Sequence, residues 1–161
     1  MLGVHCYPPC LNRSNLKSGL PPHVDHSIIT VLLQSAPGLQ IIDVDSWKNV
    51  PELKGSLQVL VGDHLEVISN GLFISFQFCV LLQQFNTCSY STNQHRTIPS
   101  SCDVRLSIAN LHSFGMDEIV LPCAKLEDEN NPTIYKGSSL RDFLNFLSRG
   151  DTRTFMETIK S

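Results

Sequence analysis

Apolar residues come in short runs along the first two thirds of the chain, broken at close intervals by turn residues. Residues 27–34 (SIITVLLQ) are rich in β-branched side chains and read as a buried strand. Pro37-Gly38 turns the chain into a second run at 39–42. Runs at 57–61 and 65–69 flank Gly62-Asp63, which predicts a hairpin or tight corner, and Asn70-Gly71 marks the next turn. Residues 104–111 (VRLSIANL) alternate and read as a further strand. Many short strands separated by Gly and Pro predict a mainly β fold, a sandwich or barrel of the jelly-roll kind.

The period then changes. Leu140, Phe143, Leu144 and Leu147 share one helical face. Ser138 or Ser139 is placed to cap that helix and Gly150 to end it. A second short helix carries Phe155 and Ile159, and these C-terminal helices (138–160) are expected to pack outside the sheet. One stretch fits neither pattern. Residues 69–94 hold no charge, and 73–85 (FISFQFCVLLQQF) are apolar but broken by glutamines. A membrane span needs about 20 apolar residues, so this run is too short and reads as a buried strand or an irregular insert. Exposed, it is an aggregation hazard.

Composition narrows the class. The 161 residues suit one domain, and 42% hydrophobic residues give it a core. Charged residues are only 17% and the net charge is −3, so there is no basic footprint for nucleic acid. The six cysteines form no C-x-x-C pair, which argues against structural zinc. The opening MLGVHCYPPC lacks a basic region before an apolar run, so reduced thiols and a cytoplasmic location are expected.

Two tripeptides carry candidate chemistry. On an extended chain His23 and Asp25 point to one face and offer an imidazole and a carboxylate to one metal ion. A distant histidine would complete a facial triad, which leaves open positions on iron(II). Alone, His-x-Asp is more often a solvated turn. Arg105 and Ser107 likewise share a face and form a carboxylate receptor, although an isolated strand arginine more often faces water.

The order of motifs is more specific than any one of them. Tyr7-Pro8-Pro9-Cys10 is followed by Gly19-Leu20-Pro21-Pro22-His23-Val24-Asp25-His26-Ser27, Leu33-Gln34 and Val61-Gly62-Asp63. Then come Ser69-Asn70-Gly71, His95-Arg96 and Arg105-Leu106-Ser107-Ile108-Ala109. This series resembles the plant iron(II)- and 2-oxoglutarate-dependent dioxygenases, nearest the flavanone 3-dioxygenase-like branch. The resemblance implies a double-stranded β-helix (jelly roll, cupin-like) with C-terminal helices, as a single domain over 1–161. It implies iron ligands His23, Asp25 and His95. It places Arg105, Ser107 and Tyr7 on the distal carboxylate of 2-oxoglutarate. The implied activity is oxidation of a small plant metabolite by dioxygen, as hydroxylation or desaturation, with iron(II), 2-oxoglutarate as co-substrate and ascorbate as a further cofactor. A monomer acting on a small molecule, with no membrane or nucleic-acid partner, is the expected state.

Departures from the family set the alternatives. The interval from His23 to His95 is longer than the family's, and the excess falls in 73–94, which reads as inserted coding sequence such as a retained intron. If the strand before His95 re-forms, the site survives; if not, His95 is displaced. The family's N-terminal region is expected to be absent. His5 stands where many members have Asn. Leu111 replaces an aromatic that flavonoid-acting members stack on their substrate, so it is a candidate substrate contact that weakens a flavonoid assignment. His26 and His64 are expected to be strand or hydrogen-bonding residues, and His112 to face either the pocket or, more commonly, the core. The competing functions are a truncated or misspliced non-catalytic paralogue, and a cupin-like module that holds metal without turnover.

Overall fold

A computed structural model describes residues 1–10, 19–43, 46–72, 80–81, 84–85 and 94–161. In chain order the strands are β1 (Leu2–Tyr7), β2 (Leu20–His23), β3 (Ile29–Gln34), β4 (Leu39–Asp43), β5 (Ser46–Asn49), β6 (Gln58–Val61), β7 (Val80–Leu81), β8 (Gln84–Phe85), β9 (His95–Thr97) and β10 (Arg105–His112). The helices are α1 (Asp63–Ile68), α2 (Leu140–Arg149) and α3 (Phe155–Ile159). Antiparallel pairing orders β1-β10-β3-β6 in one four-stranded sheet and β2-β9-β4-β5 in a second, and β7 pairs with β8. In the two larger sheets every neighbouring pair but β4-β5 is distant in sequence, as a jelly roll requires.

The two sheets share a core. Leu32 and Leu60 from the first meet Leu39, Ile41 and Val50 from the second, all nearly excluded from water. Each buried methylene there contributes about 0.8 kcal/mol. Alternation on β10 is clean at its start: Arg105 and Ser107 are buried while Leu106 and Ile108 are exposed. Cross-strand register then puts Gly3 beside Ala109 and Leu32, His5 beside Ser107 and Gln34, and Tyr7 beside Arg105 on the inner face. The outer face carries Leu2, Val4, Leu33, Leu106 and Ile108, all exposed.

Three expectations are corrected. Residues 65–69 do not form a strand after a hairpin; 63–68 are α1. Asp63 and Glu66 fall in its first turn, where carboxylates suit the positive helix end. Its N-terminal N–H groups find partners in a neighbouring loop, so no side-chain cap is used. The apolar residues of the 65–69 run serve a helix instead, with Val67 fully buried in the core built with the C-terminal segment.

The C-terminal helices also pack differently. Ser139 caps α2 in a capping box and Gly150 ends it, as predicted. However, α2 and α3 build a second core with α1 instead of lying on a sheet face: Val67, Val120, Tyr135, Phe155 and Ile159 are its centre, with Phe143 and Phe146 packed on it. Leu144 and Leu147 are exposed, because ring contacts with Phe155 turn the Phe143/Phe146 edge inward. Finally, His112 is exposed at the end of β10, in neither pocket nor core, since alternation puts it outside.

The unusual 73–94 stretch lies outside the described residues except for Gln94 and the backbone of the β7–β8 pair. The expected buried strand or irregular insert at 73–85, and the strand expected to re-form before His95, fall mostly outside the described residues. From Gln94 onward the chain is in register: Ile42 N–H donates to the Gln94 carbonyl at 3.1 Å, and His95 pairs with Ile41 and His23.

Candidate active site

β2 reaches the site as an edge strand, where Pro21 and Pro22 leave no ladder N–H unpaired. It delivers His23 directly across from His95 of β9, with ring centroids 4.2 Å apart. Asp25 follows in the loop toward β3. Its Oδ1 lies 3.7 Å from His23 Nε2 and 3.9 Å from His95 Nε2. One ligand atom from each of the three side chains falls within 4.8 Å of the others, a spacing that fits a single metal ion. His95 is buried and the other two are half-buried. His23 Nδ1 lies 2.8 Å from the Pro21 carbonyl, which holds the ring with Nε2 toward the site.

The Asp25 loop is clamped from behind. N–H groups of Gly62, Asp63 and His64 donate to the carbonyls of Ile28, Asp25 and Ser27, each at 3.0 Å. Gly62 is required there: a Cβ would lie 2.2 Å from the Ser27 oxygen and 2.7 Å from that of Asp25. Asp25 Oδ2 accepts a hydrogen bond from Thr30 Oγ1 at 2.6 Å.

Arg105 is 1% exposed, so the expectation of a water-facing strand arginine fails. It donates to Gln34 Oε1 at 2.8 Å and, more weakly, to Ser107 Oγ at 3.4 Å, and lies over the Tyr7 ring. Gly38, at φ +145°, lets the chain pass behind it; a Cβ would meet Arg105 Cδ at 2.9 Å. Among the described residues no carboxylate pairs with Arg105, and its Nε has no hydrogen-bond partner. Burial lowers its pKa from the ordinary value and Tyr7 partly offsets this, yet a guanidinium stays charged. A buried cation without an anion is unfavourable, so the site is built to receive one.

The His23-Asp25-His95 cluster and Arg105 with Ser107 open on one cavity of about 190 Å³. Tyr7, His23, Asp25, His95, Arg105 and Ser107 line it, with Leu32, Leu60, Ala109 and Leu111 supplying apolar wall. Every candidate site residue from the sequence is therefore at the cavity. Thr30, Gln34 and Gly62 were not assigned roles there. The first two share an inward face of β3, a signal that alternation from Leu32 would have given. His26 and His64 stay out of this cluster, but neither is the strand residue expected: His26 sits in the loop after Asp25 with no hydrogen-bond partner on either ring nitrogen among the described residues, and His64 lies in α1, its Nδ1 3.3 Å from Ser113 Oγ.

A jelly roll whose cavity joins a His-Asp-His triad to a buried arginine defines a non-haem metal oxygenase architecture. The family model of the 2OG-Fe(II) oxygenase superfamily matches residues 1–113, and the chain belongs to that family, which uses iron(II) and 2-oxoglutarate. The chain is 41% identical over 148 residues to 2-oxoglutarate-dependent dioxygenase 21, chloroplastic, of Oryza sativa subsp. japonica, covering 91% of this chain and 39% of that protein. It is 35% identical over 165 residues to flavanone 3-dioxygenase 3 of the same organism, covering 99% of this chain and 45% of that protein. The crystal structure of JOX2 in complex with 2OG, Fe and JA superposes with TM-score 0.77 at 26% identity, over 99% of this chain and 43% of that one. The chain thus spans less than half the length of these relatives. Among the described residues no helix is long and apolar enough to cross a membrane.

Proposed function

We propose that this chain carries the catalytic centre of an iron(II)- and 2-oxoglutarate-dependent dioxygenase that hydroxylates or desaturates a small plant metabolite. His23, Asp25 and His95 are the metal ligands. Two neutral imidazoles and one hard carboxylate suit iron(II), and three ligands leave positions for co-substrate and dioxygen. Arg105 and Ser107 hold the distal carboxylate of 2-oxoglutarate, and Tyr7 lends its hydroxyl. Bound iron(II) supplies the redox chemistry that converts 2-oxoglutarate and dioxygen to succinate and carbon dioxide as the substrate is oxidised. The side chains bind, orient and keep water out; none is needed as a general acid or base. Leu111, beside Ala109 and Leu60, offers an apolar contact to the substrate. A cytoplasmic monomer with ascorbate as accessory reductant completes the reading.

The observation that carries this reading is the shared cavity: a three-ligand cluster and a buried guanidinium with no carboxylate partner among the described residues face the same space. The test is succinate release by the purified chain with iron(II), 2-oxoglutarate and a panel of small aromatic and terpenoid substrates. Release must depend on both additions and vanish in His23→Ala. Metal binding without 2-oxoglutarate consumption would favour the module without turnover, and no metal binding the non-catalytic paralogue.

A further inference from the structure

Asp25 has two oxygens, and they are treated differently. Oδ1 faces the Nε2 atoms of His23 and His95. Oδ2 is turned to Thr30, whose hydroxyl donates to it at 2.6 Å. Thr30 has a single hydroxyl proton, and Asp25 uses it. Ser27 Oγ sits 3.2 Å from Thr30 Oγ1, so the Ser27 hydroxyl is the donor in that pair. The result is a directed chain, Ser27 to Thr30 to Asp25. Ser27 is 0% and Thr30 2% exposed, so both hydroxyls are nearly excluded from bulk water. The backbone holds this chain rigid: Thr30 lies in β3, paired with Leu60 and Leu111, and the Ser27 carbonyl is held by the N–H of His64.

We propose that Thr30, backed by Ser27, is a positioning residue that keeps Asp25 a one-oxygen metal ligand. This rests on the metal-centre reading above. A carboxylate free to turn can offer both oxygens to an ion and so occupy an extra coordination position. With Oδ2 committed to Thr30, only Oδ1 is available. The three side chains then take three positions and the rest stay open for the co-substrate and dioxygen. Thr30 touches no reacting atom in this role; it acts through Asp25.

The test uses Co(II) as a spectroscopic probe on the full chain. Thr30→Val keeps the shape and removes the hydroxyl. It should weaken Co(II) binding by roughly 10–100-fold, the usual loss for an outer partner of a ligand. It should also change the visible ligand-field spectrum and the Asp25 carboxylate stretching bands toward two-oxygen binding. Thr30→Ser should restore both spectrum and affinity, and Ser27→Ala should shift them in the same direction as Thr30→Val, by less. Thermal melts of the metal-free proteins check folding; if Thr30→Val does not fold, Ser27→Ala carries the test. Unchanged affinity and spectra in Thr30→Val, alongside lost binding in Asp25→Ala, would overturn the positioning role and leave the metal centre standing. Unchanged Co(II) binding in Asp25→Ala would instead remove the metal-centre reading itself.

Discussion

The chain holds two histidine pairs of nearly the same geometry. His23 and His95 have centroids 4.2 Å apart at 57°, beside Asp25; His26 and His64 have centroids 4.2 Å apart at 61°, with Asp63 Oδ2 at 3.6 Å from His26 Nδ1. Only the first has three ligand atoms converging among the described residues. The second is enclosed by rings: His26 stacks on Phe143 and meets Phe155 edge-on, while His64 meets Phe114. His64 is fully buried, and burial with His26 alongside lowers its pKa to about 4, so it is neutral at ordinary pH. Residue types and spacing are therefore insufficient to make a metal site. What separates the pairs is the surroundings: one opens on a cavity with a buried cation, the other is part of an aromatic core.

The largest expected effect divides the two pairs. His95→Ala should weaken metal binding by more than about 100-fold, beyond the usual loss from an outer partner, with little change in the melt of the metal-free chain. His64→Ala should do the reverse, leaving Co(II) affinity intact and costing about 2–4 kcal/mol from the emptied space. Metal titration and denaturant unfolding of both variants check this; if His64→Ala lost metal and His95→Ala kept it, the comparison would be inverted.

Next in size is the anion receptor. Arg105→Ala should raise the KM for 2-oxoglutarate by the equivalent of about 2–5 kcal/mol, since it removes the charge proposed to bind the carboxylate. Gln34→Leu should raise it less, because the guanidinium keeps its charge and loses one orienting partner. Steady-state kinetics at saturating iron would show these as KM effects; a fall in kcat alone would argue against a co-substrate anchor.

A pH effect belongs to the second pair. His64 takes up a proton near 6.5 when unfolded and only near 4 when folded. Between those values the unfolded chain binds more protons, so stability is full above 6.5 and falls as pH drops toward 4, by on the order of 3 kcal/mol. Glu66, whose pKa burial raises while its hydrogen bond from Tyr135 lowers it, acts in the opposite direction, with stability falling as pH rises past the usual carboxylate range. Denaturant unfolding of wild type and His64→Phe across this range separates the two: the acid-side loss should shrink in the variant, and an unchanged pH profile would clear His64 of the effect.

How far the sequence foretold this is uneven, for physical reasons. The strand at 104–111 was legible because alternation is a local property, the strand at 39–42 because Pro37-Gly38 marks the turn before it, and the Ser139 and Gly150 caps of α2 because capping is local too. The site residues were legible because His23-Val24-Asp25 and Arg105-Leu106-Ser107 sit in a recognisable order. The helix α1 was not, since six residues give too short a window for period 3.6 to show against the Gly62-Asp63 turn signal beside it. The second core was hidden because Val67, Tyr135 and Phe155 meet only through tertiary contacts. Leu144 and Leu147 carried the right periodicity yet point to water, which shows that a helical stripe predicts a face without naming its partner.

The smallest effect concerns His26, which is next to Asp25 but does not belong to the proposed metal site. Both of its ring nitrogens are buried without a hydrogen-bond partner among the described residues. Its binding is mostly that of a flat ring on Phe143, so Leu or Phe can supply similar volume without two unsatisfied polar atoms. His26→Phe should change stability by less than about 1.5 kcal/mol in either direction, the range for volume-conserving core exchanges. It should leave Co(II) affinity unchanged, because Asp25 is held through its own carbonyl and through Thr30, not through the His26 ring. Metal titration of His26→Phe reads this directly. A loss of Co(II) binding comparable to that of His95→Ala would show that the two histidine pairs are coupled, and that the aromatic core takes part in holding the ion.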